Sequence, residues 1–296
     1  MSTTLPLQPT TPEVRLRRRR LQPARAVGRL VLYVGLAVIS FILIFPLLYA
    51  ISGSLMTSHE LVVYPPTLIP AHPNFNAYAQ ANQALPLLRD FLNSAIMSVG
   101  IMLGQLITAT LSAYAFVFLR VPFRRIAFGI FMATMFIPWE AVILPNYLLM
   151  ASAGLLNTYW ALILPFLAAG FGTFLLRQFF MSFPKDLYEA ARIDGCGHLR
   201  FLWTILVPLS RPALASLGIY VFLQSWNQYF WPLLVGKSNA MLTLQIAIRS
   251  LKISDTLQSP NLVLAGTVLA IIPTVLLIFL GQRYIVRGLI AGALRG

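Results

Sequence analysis

Residues 30–51 read LVLYVGLAVISFILIFPLLYAI. No charged side chain interrupts this run, and it is as long as the roughly 20 apolar residues that cross a bilayer. It exceeds the apolar core of a signal peptide and lacks a clear small-residue cleavage site. The run therefore predicts an uncleaved transmembrane helix.

The rest of the chain has the same apolar character. Of its 296 residues, 58% are hydrophobic and 10% are charged, whereas about a quarter of a soluble domain is charged. We expect an all-α, polytopic membrane protein in which one transmembrane domain, residues 26–296, follows a basic, disordered tail, residues 1–25. The apolar runs place about six transmembrane helices at residues 27–51, 91–118, 124–150, 157–181, 204–234 and 262–287. The fifth run is longer than one crossing needs, so part of it is expected to be irregular or interfacial.

The basic residues give these helices a direction. A net charge of +14 could indicate nucleic-acid binding, but the arginines and lysines cluster beside the apolar runs. If both termini are cytoplasmic, all 22 lysines and arginines lie in inner segments except Arg89, Lys237, Arg249 and Lys252. This bias follows the positive-inside rule, so we expect cytoplasmic termini and no nucleic-acid partner.

No metal or nucleotide site is predicted in the chain. His59, His72 and His198 lie in three separate segments without ligand spacing, and there is one cysteine. The tripeptide at residues 236–238 imitates the end of a phosphate-binding loop, but Trp231 stands where that motif requires glycine. A membrane enzyme is disfavoured, because no histidine, cysteine or paired carboxylates converge.

An inner loop, residues 182–203, is predicted to carry a short helix. It leads into the fifth run as SFPKDLYEAARIDGCGHLRFLWTILVPLS, residues 182–210. Pro184 and Asp186 suit a first helical turn, and Gly195 suits the helix end. A helix of about three turns is therefore expected across the inner mouth of the bundle.

The face of this short helix gives it a possible function. Leu187, Ala190, Ala191 and Asp194 follow i, i+3, i+4, i+7 spacing, and the small alanines let another surface approach closely. Glu189 has the spacing to pair with Lys185 and Arg192. Periodicity alone leaves two interpretations open, a docking helix and an interfacial helix that merely connects two spans.

The same loop carries a family resemblance. Glu189, Ala190, Ala191, Gly195, Ile205 and Pro208 match the signature EAA, three residues, Gly, nine residues, Ile-x-Leu-Pro. The chain thereby resembles the permease subunits of binding-protein-dependent ABC importers, departing only with Val207 where the family prefers leucine. The resemblance implies the type I importer permease fold. It also makes the loop a coupling helix that contacts an ATPase subunit through Glu189, Ala190, Ala191, Asp194 and Gly195.

The resemblance extends over nearly the whole chain and suggests a cargo. The end of the chain, QRYIVRGLIAGALRG from Gln282, is similar to the carbohydrate-importer branch that includes the maltose permeases. The segments RQFFMSFP from Arg177, ELVVYPPTLIPAHP from Glu60 and WNQYFWPLL from Trp226 look most like glycerol-3-phosphate permease subunits. The implied cargo is glycerol-3-phosphate or a glycerophosphodiester such as glycerophosphocholine, and the alternative is a maltose- or trehalose-type oligosaccharide.

Further expectations follow from the resemblance. It implies a homologous second permease subunit, two ATP-binding subunits, an extracytoplasmic solute-binding protein and the lipid of a bacterial inner membrane. ATP and Mg would belong to the ATPase subunits, so this chain is expected to be a transport subunit without a cofactor, and not an enzyme. The rival class, an ion-gradient-driven secondary transporter, predicts buried charged relays or broken inverted-repeat helices.

Polar residues within the apolar runs are candidates for the substrate pathway. Glu140 lies mid-span, where an ionisable group costs several kcal/mol. It is expected to face the pore or a polar partner, with Pro138 and Pro145 bending the helix around it, and a role in packing is equally open. Asn227 and Gln228 can bind hydroxyls or phosphate oxygens without a net charge cost, whereas Trp226 beside them also suits an interfacial anchor.

Overall fold

The structure, a computed structural model, describes residues 23–120, 122–253 and 259–293. The side chains of residues 23–26, 84, 252, 253 and 283–293 lie outside this description as well. The predictions for most of the tail at residues 1–25 therefore fall outside the described residues and stay predictions, and the C-terminal segment from Gln282 is described in its backbone as far as residue 293.

All elements in the described ranges are helical. The α-helices are α1 (Pro23–Ser54), α2 (Ser58–Val62), α3 (Asn76–Ala84), α4 (Leu87–Phe118), α5 (Arg124–Ala133), α6 (Trp139–Ser152), α7 (Tyr159–Ile163), α8 (Gly170–Met181), α9 (Lys185–Ile193), α10 (His198–Phe201), α11 (Val207–Leu209), α12 (Arg211–Trp226), α13 (Phe230–Val235), α14 (Leu244–Ile253) and α15 (Pro260–Ala293). A π-helical turn, Leu202–Leu206, joins α10 to α11.

Three of these helices are long and apolar enough to cross a membrane alone, at Val27–Ser54, Leu87–Phe118 and Pro260–Gln282. Three more spans are possible if each of three bent helix pairs counts as one. The all-α class is confirmed, and the described part accommodates the six expected spans in this form.

The third expected helix, residues 124–150, is not continuous. The pair Arg124–Phe136 and Trp139–Ser152 bends by 95°. Pro138 causes the break, because it lacks an N–H group and forces the residue before it away from helical geometry, and Ile137 is extended with ψ 115°.

The fourth and fifth expected helices are broken as well. Within residues 157–181 the bend is 48°, between Tyr159–Phe166 and Gly170–Met181. Within residues 204–234 the bend is 80° at Ser210, where Pro212 lies in the first turn of α12. A second break, residues 227–229, separates α12 from α13. The sequence stays apolar through these points, although the backbone leaves the helical conformation there.

The chain divides into two compact units, Met1–Tyr49 and Ala50–Gly296. The predicted boundary between residues 25 and 26 stays a prediction, because residues 1–22 are outside the described part. Along residues 27–49 of the first unit the side chains are exposed except at Gly35, Leu47 and Tyr49. A helix that is apolar on all sides is typical of a membrane span.

In the second unit, α4 is the central helix. It packs against α8 and α12, and α12 packs in turn against α15. Met97, Ile101 and Ala113 of α4 are almost fully buried among residues such as Leu176 and Leu217. The helix α4 runs from the outer loops to the short inner loops. Its two ends can therefore hold residues of sites on opposite sides of the bundle.

A candidate coupling helix and substrate pathway

The short inner helix α9 forms where the sequence predicts a helix. Pro184 is its N-cap, one position earlier than expected, and Asp186 lies in the first turn, where a carboxylate suits the positive end of the helix dipole. The helix has nine residues, or about two and a half turns rather than three.

Gly195 ends this helix in a Schellman motif. The Cys196 N–H donates to the Ala191 carbonyl at 2.8 Å, and the Gly195 N–H donates to the Arg192 carbonyl at 3.1 Å. Gly195 has φ +73°, a left-handed conformation that glycine adopts without strain. The backbone therefore requires glycine at this point of the signature, independently of any partner.

The exposed face of α9 differs from the predicted one. Leu187, Ala190 and Asp194 are exposed, but Ala191 is only 7% exposed and belongs to the hydrophobic core. Ala191 therefore faces the bundle and not a docking partner. The reason is Tyr188, whose ring packs at the inner end of α4 and holds the Tyr188–Ala191 side of the helix inward.

Two ring contacts fix Tyr188. Its ring centroid lies 5.0 Å from that of Phe118, the last residue of α4, and 5.1 Å from that of Phe201. Such aromatic pairs contribute about 0.5–1.5 kcal/mol beyond their area burial. Glu189 and Ala190, on the other side of α9, remain exposed to a partner.

Arg192 makes a contact that the sequence did not predict. Neither Lys185 nor Arg192 lies within ion-pair distance of Glu189 in the described ranges; instead, Arg192 Nη1 lies 3.0 Å from His198 Nε2. His198 Nδ1 lies 2.9 Å from the Tyr114 hydroxyl, within α4. A guanidinium only donates, so Nε2 accepts and Nδ1–H donates to Tyr114 in the neutral tautomer.

Glu140 does not lie in the middle of a helix. It is an exposed residue in the first turn of α6, directly after the 95° bend. A carboxylate at this position is stabilised by the helix dipole. Pro138 does mark the bend, as expected, whereas Pro145 lies inside α6 without interrupting it.

Trp226 lies in the core and not on a pathway. It is 1% exposed, and its indole Nε1–H donates to the Ala270 carbonyl at 2.9 Å. Its ring meets Phe91 edge-on at 5.2 Å and stacks on Phe222 at 5.7 Å. The position near the outer end of the fifth run suggested an interfacial ring, but long-range contacts bury it.

Asn227 and Gln228 lie in the break between α12 and α13. Asn227 is exposed, and its Nδ2 donates to the Leu223 carbonyl at 2.8 Å. Gln228 is half-buried, and its Oε1 is buried without a hydrogen-bond partner among the described residues. The two amides therefore lie at an irregular point of the fifth run, part of which is expected from its length to be irregular or interfacial.

Arg249 is next to the same break. It lies on the exposed side of α14, and its guanidinium carbon is 5.3 Å from the centroid of the Tyr229 ring. In the sequence this arginine is marked only as one of the four basic residues of the outer segments. No local motif marks it, because the contact with Tyr229 spans two helices.

A polar framework at the outer end of α4 holds α14 in place. Asn93 Nδ2 donates to the carbonyls of Ala240 and Leu242 at 2.9 and 2.8 Å. Its Oδ1 accepts a hydrogen bond of 2.6 Å from the Tyr159 hydroxyl. The first N–H of α14, at Leu244, donates to Ser94 Oγ at 2.9 Å. The loop before α14 is thus fixed to α4 by directed bonds.

The tripeptide at residues 236–238 also has a structural explanation. Asn157 Oδ1 accepts hydrogen bonds from the Lys237 N–H at 3.0 Å and from the Ser238 N–H and hydroxyl, each at 2.9 Å. The segment is bound to another loop and does not form a phosphate cradle. Among the described residues, no three His, Cys, Asp or Glu side chains come together to hold a metal ion.

Comparison with known proteins places this geometry in context. The family described as "Binding-protein-dependent transport system inner membrane component" matches residues 100–291. The chain is similar to the sn-glycerol-3-phosphate transport system permease protein UgpE of Agrobacterium fabrum, at 38% identity over 90% of this chain and 96% of that protein. The UgpE proteins of Rhizobium meliloti and Yersinia pestis are 36% and 38% identical, over 89% and 84% of this chain and 95% and 91% of theirs.

A solved structure has the same fold. It is described as a bacterial ABC transporter involved in the import of the acidic polysaccharide alginate, and one of its chains matches with a TM-score of 0.79 at 26% identity. The match covers 89% of this chain and 98% of that chain. The expected type I permease fold and the family resemblance are both confirmed.

Proposed function

Because this chain belongs to the family of binding-protein-dependent transport system inner membrane components, we propose that it moves glycerol-3-phosphate or a glycerophosphodiester through an ATP-driven importer. It is a pore-forming permease subunit, as its relatives are. The three named relatives are glycerol-3-phosphate permeases. These similarities support a small phosphate ester over a neutral oligosaccharide.

The observation that carries the transport mechanism is the position of α9. It presents Leu187, Ala190 and Asp194 outward and rests on the inner end of α4 through Tyr188 and Ala191. An ATPase subunit that holds the outward face moves the inward face with it, because a short helix is rigid. The residues Glu189 to Gly195 then transmit motion and perform no chemistry.

The remaining parts of the importer are separate chains in this proposal. A homologous permease subunit supplies the other half of the pore, and two ATP-binding subunits hold ATP and Mg on the cytoplasmic side. A solute-binding protein docks on the outer loops and delivers the cargo across a bacterial inner membrane. The exposed apolar surface of residues 27–49 is suited to lipid.

We assign the pathway to the break between α12 and α13. Irregular backbone at membrane depth is tolerated only where it is buried in protein or lines a water-filled cavity. Asn227 is exposed in the single subunit, and we assign this exposed side to the water-filled pathway. Glu140, which would repel a phosphate, is assigned to gating or packing and not to direct contact with the cargo.

Uptake by the purified complex in proteoliposomes tests the proposal. Labelled glycerol-3-phosphate should accumulate when ATP and the cognate binding protein are present, and an ionophore should not stop it. Uptake that collapses with the ion gradient and ignores ATP would instead identify a secondary transporter. Calorimetry of the binding protein separates the cargoes, because binding of maltose or trehalose without any glycerol phosphate would favour the sugar.

The coupling helix has its own test. The double variant Ala190→Trp with Gly195→Pro should abolish uptake, since it blocks the exposed face and removes the left-handed turn, while membrane insertion remains normal. Ala190→Ser is the matched control and should transport like the wild type. Normal uptake by the double variant would sink the assignment of α9 as the coupling helix.

A further inference from the structure

The break between α12 and α13 leaves a three-residue opening in the helical backbone, residues 227–229. The Asn227 N–H donates to the Leu223 carbonyl and the Gln228 N–H to the Ser225 carbonyl, which closes the last turn of α12. Phe230 then begins a new helix. In this opening the Asn227 side chain is exposed, whereas the Gln228 Oε1 is buried and lacks a donor among the described residues.

Arg249 is placed beside this opening by a helix that is firmly anchored. Leu244, Ala247 and Leu251 on the other side of α14 are buried, at 1%, 0% and 6% exposure. The first N–H of α14 is bound to Ser94. Arg249 thus projects from a fixed scaffold, and its position does not depend on a mobile loop.

The contact with Tyr229 orients the guanidinium without consuming its hydrogen-bond donors. A guanidinium within about 6 Å of an aromatic centroid gains a cation–π interaction, and here the distance is 5.3 Å. All five N–H donors of the arginine are without a hydrogen-bond acceptor among the described residues and can bind an anion. No acidic side chain of the described ranges lies within ion-pair distance of Arg249.

The chemistry of the opening matches a phosphate ester. Arginine is suited to phosphate because two parallel N–H groups bind two of its oxygens. An exposed arginine whose donors have no protein partner among the described residues therefore complements a molecule that carries a phosphate group.

We propose that Arg249, oriented by Tyr229, binds the phosphate of the cargo in the translocation pathway. This inference rests on the proposed function, because it names the residues that recognise the same phosphate ester. It makes the outer segment of this subunit part of the substrate site.

Arg249→Gln tests the inference in the full complex reconstituted in proteoliposomes. The variant should lower uptake of glycerol-3-phosphate by about tenfold or more, equivalent to about 1.4 kcal/mol or more, while basal ATP hydrolysis stays at the wild-type rate. Arg249→Lys keeps the charge and should lose uptake in part, because an ammonium cannot form two parallel bonds. Lys237→Gln, which removes another exposed outer cation, is the matched control and should transport normally.

The outcomes separate the two proposals. If the wild-type complex imports no glycerol phosphate or diester, the proposed function fails and this inference falls with it. If the wild type imports the phosphate ester and Arg249→Gln does so at the same rate, the inference alone is overturned. An equal loss in Lys237→Gln, or a higher binding-protein concentration for half-maximal ATPase stimulation in Arg249→Gln, would also overturn it. The first would show a general charge effect, and the second a docking residue.

Discussion

The hydroxyl of Tyr114 lies 2.9 Å from Nδ1 of His198, and this bond joins the core of the bundle to its inner loop. Tyr114 is 4% exposed and belongs to α4. The opposite nitrogen of His198 meets Arg192 of α9. One imidazole therefore connects the proposed coupling helix with the central helix of the bundle, in addition to the apolar contacts of Tyr188.

Tyr114→Phe isolates the contribution of this bond. The phenylalanine ring can keep the stack on Phe118, whose centroid lies 5.1 Å away, while the hydroxyl is lost. We expect uptake and binding-protein-stimulated ATP hydrolysis to become less tightly coupled, with two- to tenfold fewer molecules imported per ATP, roughly 0.4–1.4 kcal/mol. Unchanged coupling would show that the apolar contacts are sufficient. Phe118→Leu, which weakens those contacts and keeps the bond, is the complementary control.

Gly195 can be tested by its backbone conformation. Alanine at φ +73° costs about 1–2 kcal/mol, whereas asparagine tolerates the left-handed region better. A Cβ at this position meets no atom within 4 Å, so the effect is conformational and not steric. Hydrogen exchange should show lost protection of the Gly195 and Cys196 amides in Gly195→Ala and retained protection in Gly195→Asn. Equal protection in both variants would contradict the Schellman interpretation.

The outer end of α4 holds two polar residues with opposite predicted effects. Asn93→Ala removes the bonds to Ala240, Leu242 and Tyr159 and leaves their polar groups unpaired, so it should lower stability by about 2–4 kcal/mol.

Asp90 is fully buried, and neither of its carboxyl oxygens has a partner among the described residues. Asp90→Asn should therefore preserve or raise the thermal midpoint, because a neutral amide costs less to bury than a carboxylate.

Thermal unfolding of the detergent-solubilised protein measures both changes. A large loss of stability in Asp90→Asn would mean that its carboxylate has an essential partner in the assembled protein. A neutral Asn93→Ala would mean that the loop before α14 does not depend on these bonds.

The outer loop contains a carboxylate with a defined pH dependence. The Thr57 N–H and hydroxyl donate to Glu60 at 2.8 and 3.0 Å, and the Ala71 N–H donates at 3.2 Å. The hydrogen bond from the Thr57 backbone, followed by those from its side chain and from Ala71, holds the pKa of Glu60 below its ordinary value. The resulting stabilisation is complete above the ordinary pKa and is lost as pH falls through the lowered value.

Hydrogen exchange of the Thr57 and Ala71 amides, corrected for the intrinsic rate, should show this loss. Protection should persist at neutral pH and disappear in the acid range below the ordinary pKa of about 4.3. Glu60→Gln should remove the pH dependence of that protection. A variant that keeps the same pH profile would show that another group controls the loop.

The sequence predicted much of the fold because hydropathy and length reveal long spans. The expected helices at residues 91–118 and 262–287 begin within a few residues of Leu87 and Pro260. The bends were harder to predict, because the apolar runs continue through Ile137 and Ser210 and hydropathy does not report backbone dihedrals. Pro138 and Pro212 carried that signal in the sequence.

The candidate site was predicted in part for a similar reason. Local sequence signals predicted the position of α9, because Pro184 favours the start of a helix and Gly195 favours its end, whatever the helix packs against. Which stripe of α9 faces inward depends on how Tyr188 meets Phe118, and these residues are far apart in the sequence. The burial of Trp226 likewise depends on partners in other helices, and so no local pattern could reveal it.

The helix α9 should meet the ATPase subunit with the face that carries Ala190. In a Cys196→Ser background, Ala190→Cys and Ala191→Cys are neighbours that differ in exposure, since Ala190 is exposed and Ala191 is 7% exposed. Each single cysteine is labelled with a photoreactive maleimide before the ATPase subunit is added, and adducts are identified by mass spectrometry after assembly and irradiation. We expect an adduct between position 190 and the ATPase subunit and little labelling at position 191. An ATPase adduct from position 191, with none from position 190, would contradict it.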